Sequence, residues 1–143
     1  LSAPAPNGQP AGLAGQVQAL VAVPLNQHLG LVFDHHDAQG VAHAHFDPHP
    51  GLLAYGRLHG GALYALLDAM GLLALQPRLR PGQHAVTHDL HVSMLRAAPP
   101  GTRVQLRAEA VKVGRTLAFI DARAEAGGQV LATARITKSL VDG

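Results

Sequence analysis

From Ala62 to Leu75 the chain reads ALYALLDAMGLLAL, and no other stretch limits its possible folds so strongly. Apolar residues run right round such a helix and leave no face for water, so it belongs inside a protein. One residue breaks the run. Asp68 is a carboxylate in mid-helix, and burying it is costly unless it is paired or does chemistry. Burial favours the neutral acid, which moves a carboxyl toward the range a general base needs. The helix opens on His59-Gly60-Gly61. Two glycines there leave bare N–H groups at the positive end of the helix dipole, a place suited to a developing oxyanion.

The segments around this helix read mostly as strands. Residues 1–10 are rich in Pro, Ala and Gly and are expected to be a flexible arm, with residues 11–143 forming one domain. A short helix is expected from Ala11 to Val21. Strands are expected at His28–Phe33 and Val41–Phe46, with turn composition between Asp34 and Gly40. Pro77 and Pro81-Gly82 stop the helix, and four long strands follow: Gln83–Leu95, Thr102–Val113, Thr116–Ala126 and Gln129–Leu140. In the second of these Val104, Leu106, Ala108 and Ala110 alternate with Arg103, Gln105, Arg107 and Glu109, a period of two. In the last, Val130, Ala132, Ala134 and Ile136 share a face. Gly127-Gly128 between the last two is a hairpin signal. The expected class is α+β, an antiparallel sheet of about six strands curled around one buried helix.

Composition removes several classes of function. Without cysteine there is no disulfide, thiolate metal site or cysteine nucleophile. The net charge of +2 comes from scattered residues, and aromatics are only 3%, so nucleic acid is not an expected partner. The apolar helix is short for a membrane span and carries Asp68. No charged stretch followed by an apolar run marks the first residues as a secretory signal, so a cytoplasmic location is expected. His35-His36 and His43-Ala44-His45 invite a metal reading, but nothing completes a ligand pattern at defined spacing, and neither metal nor cofactor is expected.

The segment Gly56-Arg57-Leu58-His59-Gly60-Gly61-Ala62-Leu63-Tyr64-Ala65-Leu66-Leu67-Asp68 resembles the G-x-x-H-G-G-x-x-x-x-L-x-D signature of hot-dog-fold acyl-CoA thioesterases of the phenylacetate-pathway (PaaI-like) type. Val86 to Ser93, Gly114-Arg115-Thr116 and Gly128 to Ala132 are similar to later parts of that family. The resemblance implies a hot-dog fold and an acyl-CoA substrate. It implies that the Gly60 N–H polarises the thioester carbonyl and that Asp68 activates water or attacks directly. It further implies that Thr87 helps place the water. Many relatives carry an asparagine six residues before the histidine, where this chain has Leu53; His49 is a conceivable stand-in. Leu53, Tyr64 and Met70 are pocket candidates. His59 and Gly61 adjoin the thioester position, with His59 read as fixing the loop before the helix. Lys112 and Arg115, at a hairpin turn, are candidates for CoA phosphates.

Spacing adds one consequence. Gly60 and Asp68 are eight residues apart, hence ~12 Å along one helix, while both must reach one reacting group within hydrogen-bond distance. Two antiparallel copies can supply both, giving a twofold homodimer with shared sites and, by further assembly, a tetramer. The rival readings are a non-hydrolytic acyl-CoA binder, a hot-dog dehydratase or hydratase, and a purely structural oligomer.

Overall fold

The computed structural model describes residues 12–143, so the arm expected over residues 1–10 lies outside the described residues. Helices α1 (Gly12–Val21) and α2 (Pro24–His28) come first, followed by strands β1 (Val32–His36) and β2 (Ala42–Phe46). Two short strands, β3 (Leu53–Ala54) and β4 (Arg57–Leu58), lead into helix α3 (Gly60–Leu75). Strands β5 (Gln83–Met94), β6 (Val104–Val113), β7 (Leu117–Ala126) and β8 (Gln129–Asp142) complete the chain.

Six strands form one antiparallel sheet in the order β1-β2-β6-β7-β8-β5, and β2 and β5 to β8 all pack on α3. This is the expected hot-dog arrangement. Alternation in the strands explains it. In β2, Ala42, Ala44 and Phe46 face in while His43 and His45 face out. The inner face carries many alanines, with Phe46, Leu106, Ile120 and Ile136 among them. Small residues let the sheet approach the helix closely, and the larger ones interlock with Leu63, Leu66, Leu67 and Leu73 of α3, all essentially fully buried. Each such leucine contributes about 1.5–3 kcal/mol by leaving water.

Several local readings are corrected. The strand expected from His28 begins only at Val32, because Pro24 opens α2 as a first-turn residue whose missing N–H is not needed. Asn26 Nδ2 donates to Leu20 O at 2.9 Å and ties the two helices together. The turn expected from Asp34 starts at Asp37, whose Oδ1 accepts from the backbone of Gln39 and Val41. Before α3, Tyr55 (φ 54°) and Gly56 (φ 77°) both adopt the left-handed conformation, which closes β3 and β4 into a tight hairpin. Met70 is not in a pocket; it is fully buried against the sheet.

The remaining correction concerns α3 itself. A single curled sheet encloses a helix only part of the way round. Gly61 and Tyr64 remain exposed, and Ala65, Asp68 and Leu72 are half-buried, so a stripe at helical spacing stays open. Among the described residues no helix is long and apolar enough to cross a membrane.

Candidate active site

The entrance to α3 is built by His59. It is the N-cap residue, in extended conformation (φ −64°, ψ 129°), and its Nδ1 accepts from Gly61 N at 2.7 Å. His59 O accepts from Ala62 N at 3.0 Å. Two of the first N–H groups are therefore committed to the cap, and Gly60 N–H has no acceptor among the described residues. The two glycines differ in their steric need. A Cβ on Gly61 would come within 2.9 Å of the His59 ring, so the cap needs a glycine there. A Cβ on Gly60 would meet only Met94 Cε at an ordinary 3.6 Å. The chain's own packing gives no reason for a glycine at position 60. His59→Ala is expected to cost about 1 kcal/mol of stability and His59→Asn, which keeps an acceptor, much less; denaturant midpoints compare them.

Eight residues along the helix, Asp68 Oδ1 accepts from Thr87 Oγ1 at 2.6 Å and from Lys138 Nζ at 3.1 Å. Lys138 Nζ also donates to Thr87 Oγ1 at 2.7 Å and to Asp68 O at 3.4 Å. An ammonium has three protons, and here three oxygens receive them. Thr87 accepts from Lys138, so its own proton is directed to Asp68. Asp68 Oδ2 has no partner among the described residues. Thr87 and Lys138 face one another across the β5–β8 ladder, next to a bulge between Thr87 and Asp89. Burial lowers the Lys138 pKa from the ordinary lysine value, with the Asp68 charge acting the other way.

The expectation of an enclosed Asp68 is corrected. Its side chain is 40% exposed, whereas that of Lys138 is 5% exposed. The desolvated partner of the pair is the lysine. Beside them lies a cavity of about 440 Å³, walled by Leu20, Val23 and Leu25 of the α1–α2 segment and by Ala65, Ala69 and Leu72 of α3. Asp68, Thr87 and Lys138 belong to the same wall. Its size suits a small-molecule group, and its lining is mostly apolar, with polar groups at Asp68, Thr87 and Lys138.

The other expected site residues are scattered. Leu53 is exposed on β3, Tyr64 lies on the open stripe of α3, and neither borders this cavity. Lys112 follows a bulge in β6 and Arg115 sits at the exposed β6–β7 turn, both away from the cavity. His49 cannot replace a missing polar group, since its Nδ1 caps Gly51 N at 3.1 Å and its Nε2 binds His28 O at 2.8 Å. The sheet histidines brace turns and strands. His43 pairs with Asp37 and His45 with Asp34, while His36 Nε2 donates to Leu73 O. Among the described residues no group of three or more His, Asp or Glu could hold a metal ion. Lys138 was not foreseen, although it continues the inward series Ala132, Ala134, Ile136 by one more step of two; Val130, expected on that face, is separated from it by a bulge at Leu131, which is buried instead.

A six-stranded antiparallel sheet curled on one helix, with an acid beside a cavity and an uncommitted N–H at the helix entrance, defines a hot-dog protein. The thioesterase superfamily matches over residues 55–133, more than half of the 143, and the chain belongs to that superfamily. Human acyl-coenzyme A thioesterase 13 is 35% identical over 89 residues, which are 61% of this chain; the chain spans 63% of that relative's length. A thioesterase family protein from Silicibacter pomeroyi is similar in structure, with TM-score 0.82, 27% identity, and coverage of 92% of this chain and 100% of that one. A mutant of the phenylacetic acid degradation protein PaaI from Thermus thermophilus gives TM-score 0.70 at 29% identity, covering 81% and 97% respectively.

Proposed function

We propose that this protein hydrolyses the thioester of an acyl-CoA whose acyl group is aromatic or of short to medium chain. The observation that carries the reading is the state of the Asp68 carboxylate. One oxygen is anchored by Thr87 and Lys138, and the other is unengaged beside a mostly apolar cavity. A water held by Oδ2 can give up a proton as it attacks the carbonyl carbon; alternatively Oδ2 attacks that carbon itself and forms a mixed anhydride, which a water then hydrolyses to release the acid and restore Asp68. In both routes the C–S bond breaks, CoA leaves as a thiolate, and the proton taken from water passes to the thiolate or to solvent. A thiolate leaves without a strong general acid, which fits a site where His59 Nδ1 is committed to the cap. Thr87 directs its proton to Asp68, so it can help hold a water only through its remaining lone pair.

The carbonyl oxygen requires a donor, and Gly60 N–H is the uncommitted one. In one chain it lies ~12 Å along the helix from Asp68, so the reading requires two copies, with Gly60 of one facing Asp68 of the other. Two features support that assembly. Strand β5 is a 12-residue edge of the sheet with an unpaired side, a template for pairing with its twofold copy. The open stripe of α3 together with exposed Met94 and Leu95 adds apolar surface a second copy would cover. A tetramer of two such dimers is compatible with this scheme, as is a cytoplasmic location.

Release of CoA from phenylacetyl-CoA and hexanoyl-CoA, followed with a thiol reagent, tests the activity. One observation favours a rival, a non-hydrolytic acyl-CoA binder: Leu53 brings no polar group where many relatives carry asparagine. Saturable binding of both thioesters with no thiol released would establish the rival and sink the proposal.

A further inference from the structure

Lys138 lies beyond the segment matched to the thioesterase superfamily and is 4% exposed, the least exposed charged residue among those described. A lysine so placed is costly, since its ammonium must leave water. Two independent features show that the fold accommodates it. Its three N–H donors all find acceptors: the Asp68 carbonyl oxygen, Asp68 Oδ1 and Thr87 Oγ1. In addition, α3 carries Gly71 in its interior, a residue that weakens a helix by about 1 kcal/mol relative to alanine. A Cβ at Gly71 would stand 3.2 Å from Lys138 Cε and 3.1 Å from Ile136 Cδ1. The missing side chain is the groove through which the lysine stem reaches Asp68.

We infer that Lys138 is a positioning residue of the hydrolytic site: its ammonium pins Asp68 Oδ1 and the Thr87 hydroxyl so that Asp68 Oδ2 alone is turned to the reacting water or thioester. The inference rests on the reading of Asp68 as base or nucleophile. Without the ammonium, Thr87 can rotate its hydroxyl and the carboxylate can swing about its Cα–Cβ–Cγ bonds. Both oxygens then become equivalent and neither is held at the attacking distance. Binding of the acyl chain, which depends on the apolar wall, is left largely intact.

Lys138→Met keeps a stem of similar volume and removes the charge. Asp68 is partly exposed, so its carboxylate retains water as a partner when the lysine is gone. The expected result is a kcat lower by on the order of 100-fold, as for a misplaced reacting group, with KM little changed and a Tm no lower than wild type. Gly71→Ala retains every chemical group and presses on the lysine stem, and it too is expected to lower kcat with KM nearly unchanged. Lys138→Met with kcat within about twofold of wild type overturns the inference. Loss of Tm in step with kcat in both Lys138→Met and Lys138→Gln also overturns it, by assigning the lysine to stability. Asp68→Asn measured alongside separates the two levels. If that variant hydrolyses acyl-CoA normally, the hydrolytic reading itself fails; if it is inactive while Lys138→Met is normal, only the positioning role fails.

Discussion

Asp68→Asn is expected to lower kcat for acyl-CoA hydrolysis by about 10²–10⁴-fold, the range associated with loss of a general base, with KM close to wild type. Asparagine has the shape of aspartate, and its amide oxygen can still accept from Thr87 Oγ1 and Lys138 Nζ where Oδ1 now does. The amide nitrogen then takes the place of the unengaged oxygen. It carries no lone pair fit to remove a proton or to attack a carbonyl carbon, so the cluster stays assembled while the chemistry stops. The variant also leaves the nearly enclosed Lys138 ammonium without its counter-charge, so a modest fall in Tm accompanies the loss of rate. Steady-state release of CoA gives kcat and KM, and thermal denaturation reports the fold. Hydrolysis near the wild-type rate would remove Asp68 from the mechanism. A single turnover of wild type in heavy-oxygen water adds a distinction: label in the Asp68 carboxylate marks an anhydride route.

Mixing two impaired variants is expected to restore activity. Gly60→Pro is the partner for Asp68→Asn. Position 60 is the first residue of α3, where proline is well tolerated. His59, at φ −64° and ψ 129°, already has the extended conformation that a residue before proline requires. The substitution therefore deletes the one N–H left over from the cap with little strain, and loss of such a donor is worth about 10²–10³-fold in kcat. If each site draws Gly60 from one copy and Asp68 from the other, a mixed dimer contains one intact site and one doubly impaired site. Random reassortment makes half the dimers mixed, so the mixture recovers about a quarter of wild-type activity per chain. Co-expression with two different affinity tags isolates the mixed dimer. No recovery in that species would mean that Gly60 and Asp68 do not converge from separate copies.

How far these residues were legible before the fold was known differs from case to case. The run around Asp68 announces a buried helix because its periodicity leaves no polar stripe, and β6 to β8 announce themselves by alternation and by turns such as Gly127-Gly128. Helix α2 was missed because five residues are too few to show a helical period, and Pro24 reads as a breaker when it is in fact an opener. The hairpin β3–β4 was missed because its strands are two residues each, and Tyr55 gives no hint of a left-handed turn. The stripe of α3 was read as covered because its Tyr64, Ala65 and Leu72 are as apolar as their buried neighbours. Hydropathy registers what avoids water, not whether the same chain or another supplies the cover.

Taken alone, the order of residues determined the components: an apolar helix with one acid, a His-Gly-Gly entrance, and strands with one apolar face. Only the tertiary structure decided that Thr87 and Lys138 meet at Asp68, from 19 and 70 residues away. That meeting depends on the pairing of β5 with β8 and on the bulge beside Thr87. A shift of one residue would turn Lys138 out to solvent, because strand side chains alternate faces. Local pattern sets which groups a segment carries, but the register between distant strands sets which of them touch.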